Sequence, residues 1–151
     1  MPGSVEDVGS SHEAAGHGTD QTGAARGVVG VGVDAVDVDR FRAVLARRPG
    51  FCARVFTEGE QADAAGRAER LAARFAAKEA VMKALGTGLG GFAWRDVEVV
   101  RAPGRGATGG APSLRLAAGA AELARRRRVA RWHVSLTHTG RTALALVVAE
   151  A

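Results

Sequence analysis

The sequence predicts an α+β fold, and three observations carry that prediction. Arg70 to Leu85 is dominated by alanine, leucine, arginine, lysine, glutamate and methionine, all good helix formers. Short segments rich in β-branched residues, at Val28–Val38, Trp94–Val100 and Thr142–Ala149, read as strands. Between them helices are inserted without βαβ regularity, and no internal repeat is present.

Taken in order, residues 1–26 are rich in Gly, Ser and Thr and nearly free of large apolar side chains. They bury too little surface to offset ordering entropy, so a disordered tail is expected, with the ordered domain spanning 27–151. Val28 to Val38 then alternates valines with glycines, a strand pattern in which glycine permits close backbone approach. Asp37 or Asp39 caps a helix running from Asp39 to Arg48, which Pro49-Gly50 stops. Phe51 to Phe56 is a short apolar segment. Thr57 with Glu60 three residues on is a capping box, and Glu58 and Glu60 are assigned to that helix start.

In the long helix, Leu71, Phe75, Met82 and Leu85 form one apolar stripe, with Lys78 falling on it. Ala72, Ala76, Glu79 and Lys83 form a second face, small enough at its start for another backbone to come close. Gly86-Thr87-Gly88 closes the helix. A dinucleotide fingerprint would instead follow a strand and open a helix, so the loop reads first as a glycine C-cap. Trp94–Val100 alternates as a strand, Pro103–Pro112 is a glycine-rich turn, and Ser113–Leu116 returns. Gly119–Ala130 is a helix ending in Arg125–Arg128. Trp132–Leu136 and Thr142–Ala149 form a hairpin around Thr137–Arg141.

Bulk composition narrows the function. The 151 residues suit one domain, and 46% hydrophobic with 25% charged content suits a soluble globular protein. No apolar run approaches the roughly eighteen residues of a membrane span, and no signal-peptide pattern opens the chain. The lone Cys52 is read as a buried small hydrophobe suited to a reducing cytoplasm. The total net charge is +5. Residues 1–26 carry −3, which leaves +8 on 27–151. So basic a body calls for a polyanionic partner: a phosphate-rich ligand, an acidic protein, or nucleic acid docked on Arg125–Arg128. The aromatic–basic interleaving of a single-strand binder is missing.

Candidate site residues follow from position. Asp34 falls where the first strand should end, at the edge of a cleft. Glu79 and Lys83 lie one turn apart on one helix face. On spacing alone they make an ordinary surface ion pair worth about 0.2–0.5 kcal/mol. Lys78 is either a snorkelling lysine or a phosphate ligand. A lone hairpin histidine, His138, reads as surface decoration.

Three separated segments together resemble the holo-acyl-carrier-protein synthases, the small single-repeat 4′-phosphopantetheinyl transferases. The first is Val31-Gly32-Val33-Asp34-Ala35-Val36-Asp37-Val38-Asp39-Arg40. The second is Phe56-Thr57-Glu58, then Leu71–Ala80 and Lys83–Gly88. The third is Trp132–His138 with the terminal strand to Glu150. The resemblance covers residues 28–151. It implies the fold of that family, with a small antiparallel sheet against the long central helix, and transfer of 4′-phosphopantetheine from coenzyme A to a serine of apo acyl carrier protein, a step serving fatty acid biosynthesis. It further implies Mg²⁺ held by Asp34 and Glu79, and Lys83 with Gly86, Thr87, Gly88, His138 and Lys78 around coenzyme A. The acidic carrier is expected to dock on Arg40 and Arg47, with Arg48 and Arg54 adding to that face, and the enzyme to be a cytoplasmic homotrimer with active sites where subunits meet. The serine proton passes to Glu79 or to a metal-ordered water. Thr139 stands where some relatives have aspartate, so a His–Asp pair is not expected. Polyketide or peptide-synthetase carriers are the alternative acceptors, and a non-enzymatic nucleic-acid-binding module is the remote alternative.

Overall fold

The computed structural model describes residues 27–101 and 110–151. Its elements are β1 (Val28–Asp37), α1 (Val38–Arg47), α2 (Phe51–Val55), α3 (Glu58–Ala64), α4 (Ala68–Leu85), a 3₁₀ turn (Trp94–Asp96), β2 (Val97–Arg101), β3 (Pro112–Leu116), α5 (Ala118–Arg126), β4 (Arg131–His138) and β5 (Thr142–Glu150). The expected tail at 1–26 and most of the expected glycine-rich turn lie outside the described residues. Phe51–Val55, read as a plain apolar segment, is a single helical turn entered through Gly50. The strand expected from Trp94 begins only at Val97, because Trp94–Asp96 coils into the 3₁₀ turn.

All strands pair antiparallel, in a three-stranded sheet ordered β1-β5-β4 and a two-stranded sheet β2-β3. Helix α4 is the axis of the domain: twelve of its eighteen residues are buried, so it is enclosed rather than amphipathic. One core cluster packs Ala76, Ala77, Ala80, Val81 and Leu85 against Val97, Val99, Ala145 and Val147. A second packs Leu71, Ala72 and Ala73 against Val38, Phe41, Val55 and Phe56. The small residues have a geometric purpose. A Cβ at Gly32 or Gly30 would collide with the carbonyl oxygens of Ala80 and Ala84, so β1 lies directly on the helix backbone.

Local signals set the helix ends. Asp37 caps α1 through Arg40 N–H at 2.8 Å, and Thr57 and Glu60 complete the capping box of α3. Gly86, at φ 66°, ends α4, with Thr87 N–H bonded to Met82 O in a Schellman arrangement. No helix among the described residues is long and apolar enough to cross a membrane.

Candidate active site

Because Gly32 holds β1 against α4, Asp34, two residues on and on the same strand face, meets the helix turn that carries Glu79 and Lys83. Lys83 Nζ donates to Asp34 Oδ1 at 2.7 Å and to the Val33 carbonyl at 2.8 Å. The ion pair expected between Glu79 and Lys83 along the helix is thus replaced by a tertiary pair with Asp34. These three side chains, with Met82, Gly88 and Leu89, line a cavity of about 210 Å³.

The site is short of donors. Asp34 Oδ2 is buried and receives no hydrogen bond. The neighbouring Glu79 carboxyl supplies one only when protonated. Burial first, then the hydrogen bond to Asp34 and its charge, push Glu79 up to about 7, against the opposing pull of Lys83. Two crowded carboxyls with an unfilled oxygen suit a small hard cation. Among the described residues no group of three or more His, Cys, Asp or Glu side chains is placed to hold a metal. A cation here would therefore rely on Asp34, Glu79, waters and the ligand's own oxygens, the pattern typical of Mg²⁺.

Glu79 also borders a larger, mostly apolar cavity of about 540 Å³, lined by Ala35, Val36, Asp37, Arg40, Phe41, Val44, Phe51 and Phe75 as well. Arg40 and Glu79 thus open onto one space. Arg47, Arg48 and Arg54 are exposed on the same helical region but do not line it.

His138 is elsewhere. β5 separates β4 from β1, which puts His138 and Asp34 on the two outer strands of the sheet, about 10 Å apart across two strand spacings and offset by two residues along them. His138 lines a third depression of about 270 Å³ with Arg70, Ala73, Arg74, Arg101, Leu136 and Thr137. Buried Arg74 carries a second orphan, its Nε. The sequence reading assigned no role to Arg70, Arg74 or Arg101. Arg70 and Arg74 are four apart on the helix, a spacing that marks a shared face, but their meeting with His138 and Arg101 is purely tertiary.

One expectation needs correction and two gain detail. Lys78 neither snorkels nor faces the cavity: it is fully buried, paired with Glu60 at 2.8 Å and bonded to the carbonyls of Trp94 and Val97. Gly86 and Thr87 do not line the small cavity and serve as the helix cap, with the Thr87 hydroxyl donating to the carbonyls of Met82 and Gly88; only Gly88 of that loop reaches the site. Glu60 does more than cap a helix, since it also holds Lys78 and the Val99 N–H.

Comparison with known proteins decides the family. The family model for the 4′-phosphopantetheinyl transferase superfamily matches residues 30–147. The chain belongs to that superfamily. Asp34, Arg40, Glu79, Lys83 and His138 all fall inside the matched region. Among phosphopantetheinyl transferase relatives, a holo-[acyl-carrier-protein] synthase of Frankia alni is 58% identical over 123 residues, covering 82% of this chain and 98% of that one. The solved acyl carrier protein synthase of Mycobacterium tuberculosis is 37% identical with a TM-score of 0.60, covering 83% of this chain and 99% of that one. The Bacillus anthracis holo-(acyl-carrier-protein) synthase, in complex with CoA (3′,5′-ADP), is 33% identical with a TM-score of 0.66, covering 84% and 99%.

Proposed function

We propose that this protein is a holo-acyl-carrier-protein synthase that moves 4′-phosphopantetheine from coenzyme A to a serine of apo acyl carrier protein, with Mg²⁺ held by Asp34 and Glu79. The carrying observation is the meeting of Asp34, Glu79 and Lys83 in one cavity, with a buried Asp34 oxygen that lacks a donor.

The reaction joins the serine oxygen to the pantetheine-side phosphorus of the pyrophosphate. The bridging P–O bond breaks, and adenosine 3′,5′-bisphosphate leaves. Bound Mg²⁺ would neutralise pyrophosphate oxygens as charge builds on them. Lys83, half exposed, supplies a mobile point charge to the same oxygens. The serine proton passes to Glu79, or to a metal-ordered water that Glu79 would hold. The arginine-rich depression around His138 suits the remaining phosphate of coenzyme A, and the unpartnered Arg74 Nε supports that use.

The carrier docks over the large cavity, where Arg40 meets its acidic surface and the apolar floor takes a neighbouring side chain. Arg47 extends the basic face. The assembly is a homotrimer. Its support is the outer face of the three-stranded sheet, where Val31, Val33 and Leu146 are 55%, 51% and 41% exposed and Val33 pairs across from Leu146. Copies meeting there flank the Asp34 edge of the site. The protein works in the cytoplasm, a reading supported by a single free cysteine, Cys52.

Mass spectrometry of apo acyl carrier protein incubated with coenzyme A, Mg²⁺ and this protein tests the reading. A gain of one phosphopantetheine is expected. Glu79→Gln should slow transfer by a factor on the order of 10²–10³. An unmodified carrier would overturn the function, and near-normal transfer by the variant would overturn the role of Glu79.

A further inference from the structure

The Lys83 ammonium occupies a place a metal ion would also seek. Its two acceptors, Asp34 Oδ1 at 2.7 Å and the Val33 carbonyl at 2.8 Å, are hard oxygens of the kinds divalent cations take. The pair is asymmetric: the Lys83 side chain is 53% exposed and Asp34 only 13%. The carboxylate is fixed between strand and helix, while the ammonium, on a flexible stem, can swing out into the cavity that Lys83 itself lines. An ammonium has three protons to donate, and only two are engaged here.

We propose that Lys83 is a resident counter-ion of the metal site, which neutralises Asp34 until a divalent cation arrives and then transfers to the phosphate oxygens of coenzyme A. The proposal rests on the reading of Asp34 as a metal ligand. Metal and lysine compete for one carboxylate, so metal alone binds weakly. Pyrophosphate draws the lysine away and opens the carboxylate to metal. Coupling of this kind is reciprocal, so metal equally favours the lysine–phosphate contact.

Calorimetric titration with Mn²⁺, first without coenzyme A, tests this on the full-length protein. Lys83→Met keeps the stem and removes the charge, and it should bind Mn²⁺ about tenfold tighter than wild type. Lys83→Arg keeps the charge and should bind no tighter than wild type. Asp34→Asn should lose the ion. Coenzyme A should tighten Mn²⁺ binding more in wild type than in Lys83→Met, where no lysine remains to be drawn off. If Lys83→Met binds no tighter while Asp34→Asn still loses the ion, the counter-ion role is overturned and the metal site stands. Tighter binding by Lys83→Arg also overturns that role, since charge would not be the cause. If Asp34→Asn binds like wild type, or nothing binds even with coenzyme A, the metal-site reading fails and the proposal with it.

Discussion

Helix α4 carries two lysine–carboxylate pairs of nearly equal length and opposite character. Lys78 meets Glu60 at 2.8 Å with both side chains fully buried. Lys83 meets Asp34 at 2.7 Å at the wall of an open cavity. Distance therefore does not distinguish a structural pair from a functional one; saturation does. Lys78 spends all three protons, on Glu60 and on the carbonyls of Trp94 and Val97. Glu60 is equally committed, accepting from Thr57 N–H and Val99 N–H at 3.0 Å each. That network ties the start of α3, the middle of α4 and β2 together and leaves nothing to offer a ligand. At the other pair, Asp34 keeps an unfilled oxygen and Lys83 an unspent proton.

The largest effect should come from the saturated pair. Burial pushes the Lys78 ammonium below its usual range, and the Glu60 carboxylate opposes that shift. Lys78→Met leaves the Glu60 carboxylate buried and uncompensated, and should destabilise the fold by about 3–5 kcal/mol. Glu60→Gln combined with Lys78→Met should recover part of that loss, because it removes the uncompensated charge while keeping an acceptor for the Val99 N–H. Denaturant midpoints of the single and double variants measure it. A single variant within about 1 kcal/mol of wild type would remove the distinction drawn between the two pairs.

The two pairs were unequally legible in the sequence. Thr57 and Glu60 announce a capping box, and the box is present, because capping is a contact three residues long. Nothing local says that Glu60 also reaches Lys78 eighteen residues on. Spacing put Lys78 correctly on the apolar stripe, but whether such a lysine snorkels or is buried depends on a partner that only the tertiary fold supplies. The valine alternation of β1 and the Val97/Val99 pattern gave strands that the structure contains. The single turn at Phe51–Val55 escaped because five residues, two of them aromatic or β-branched, carry no helical period. The meeting of Asp34 with Glu79 was legible only through the family resemblance, since 45 residues separate them. The basic depression of Arg70, Arg74, Arg101 and His138 assembles from one helix and strands of both sheets, and no pattern along the chain marks it.

A middle-sized effect belongs to Glu79, and its sign depends on pH. Its native value of about 7 lies above the ordinary 4.5, so between those limits the folded state binds more protons than the unfolded. Stability from this group is present at low pH, declines as pH rises from about 4.5 to 7, and stays lost above. Glu79→Gln keeps a permanent donor for Asp34 and has no charge to bury. After discounting for solvent screening of this half-buried group, the metal-free variant should be more stable than wild type by about 1 kcal/mol at pH 8. That corresponds to a melting temperature about 2–4 °C higher. The gap should close near pH 4.5. A variant less stable than wild type at pH 8 would show that the crowding of the two carboxyls costs the fold nothing.

The smallest effect sharpens the comparison most. Lys83→Met removes an ion pair whose lysine is half solvated, and in metal-free protein its cost should stay below about 1 kcal/mol. Two opposed contributions keep it small. Asp34 loses its cation partner, and the loss also lifts the pull that holds Glu79 down, so Glu79 takes up a proton more readily and donates to Asp34 in the lysine's place. Thermal melts of metal-free wild type and variant at pH 6 and pH 8 separate the two. The difference should be smaller at pH 6, where protonated Glu79 is abundant. A loss as large as that of Lys78→Met, at either pH, would mean that Lys83 is built into the fold and is not free to move to a ligand.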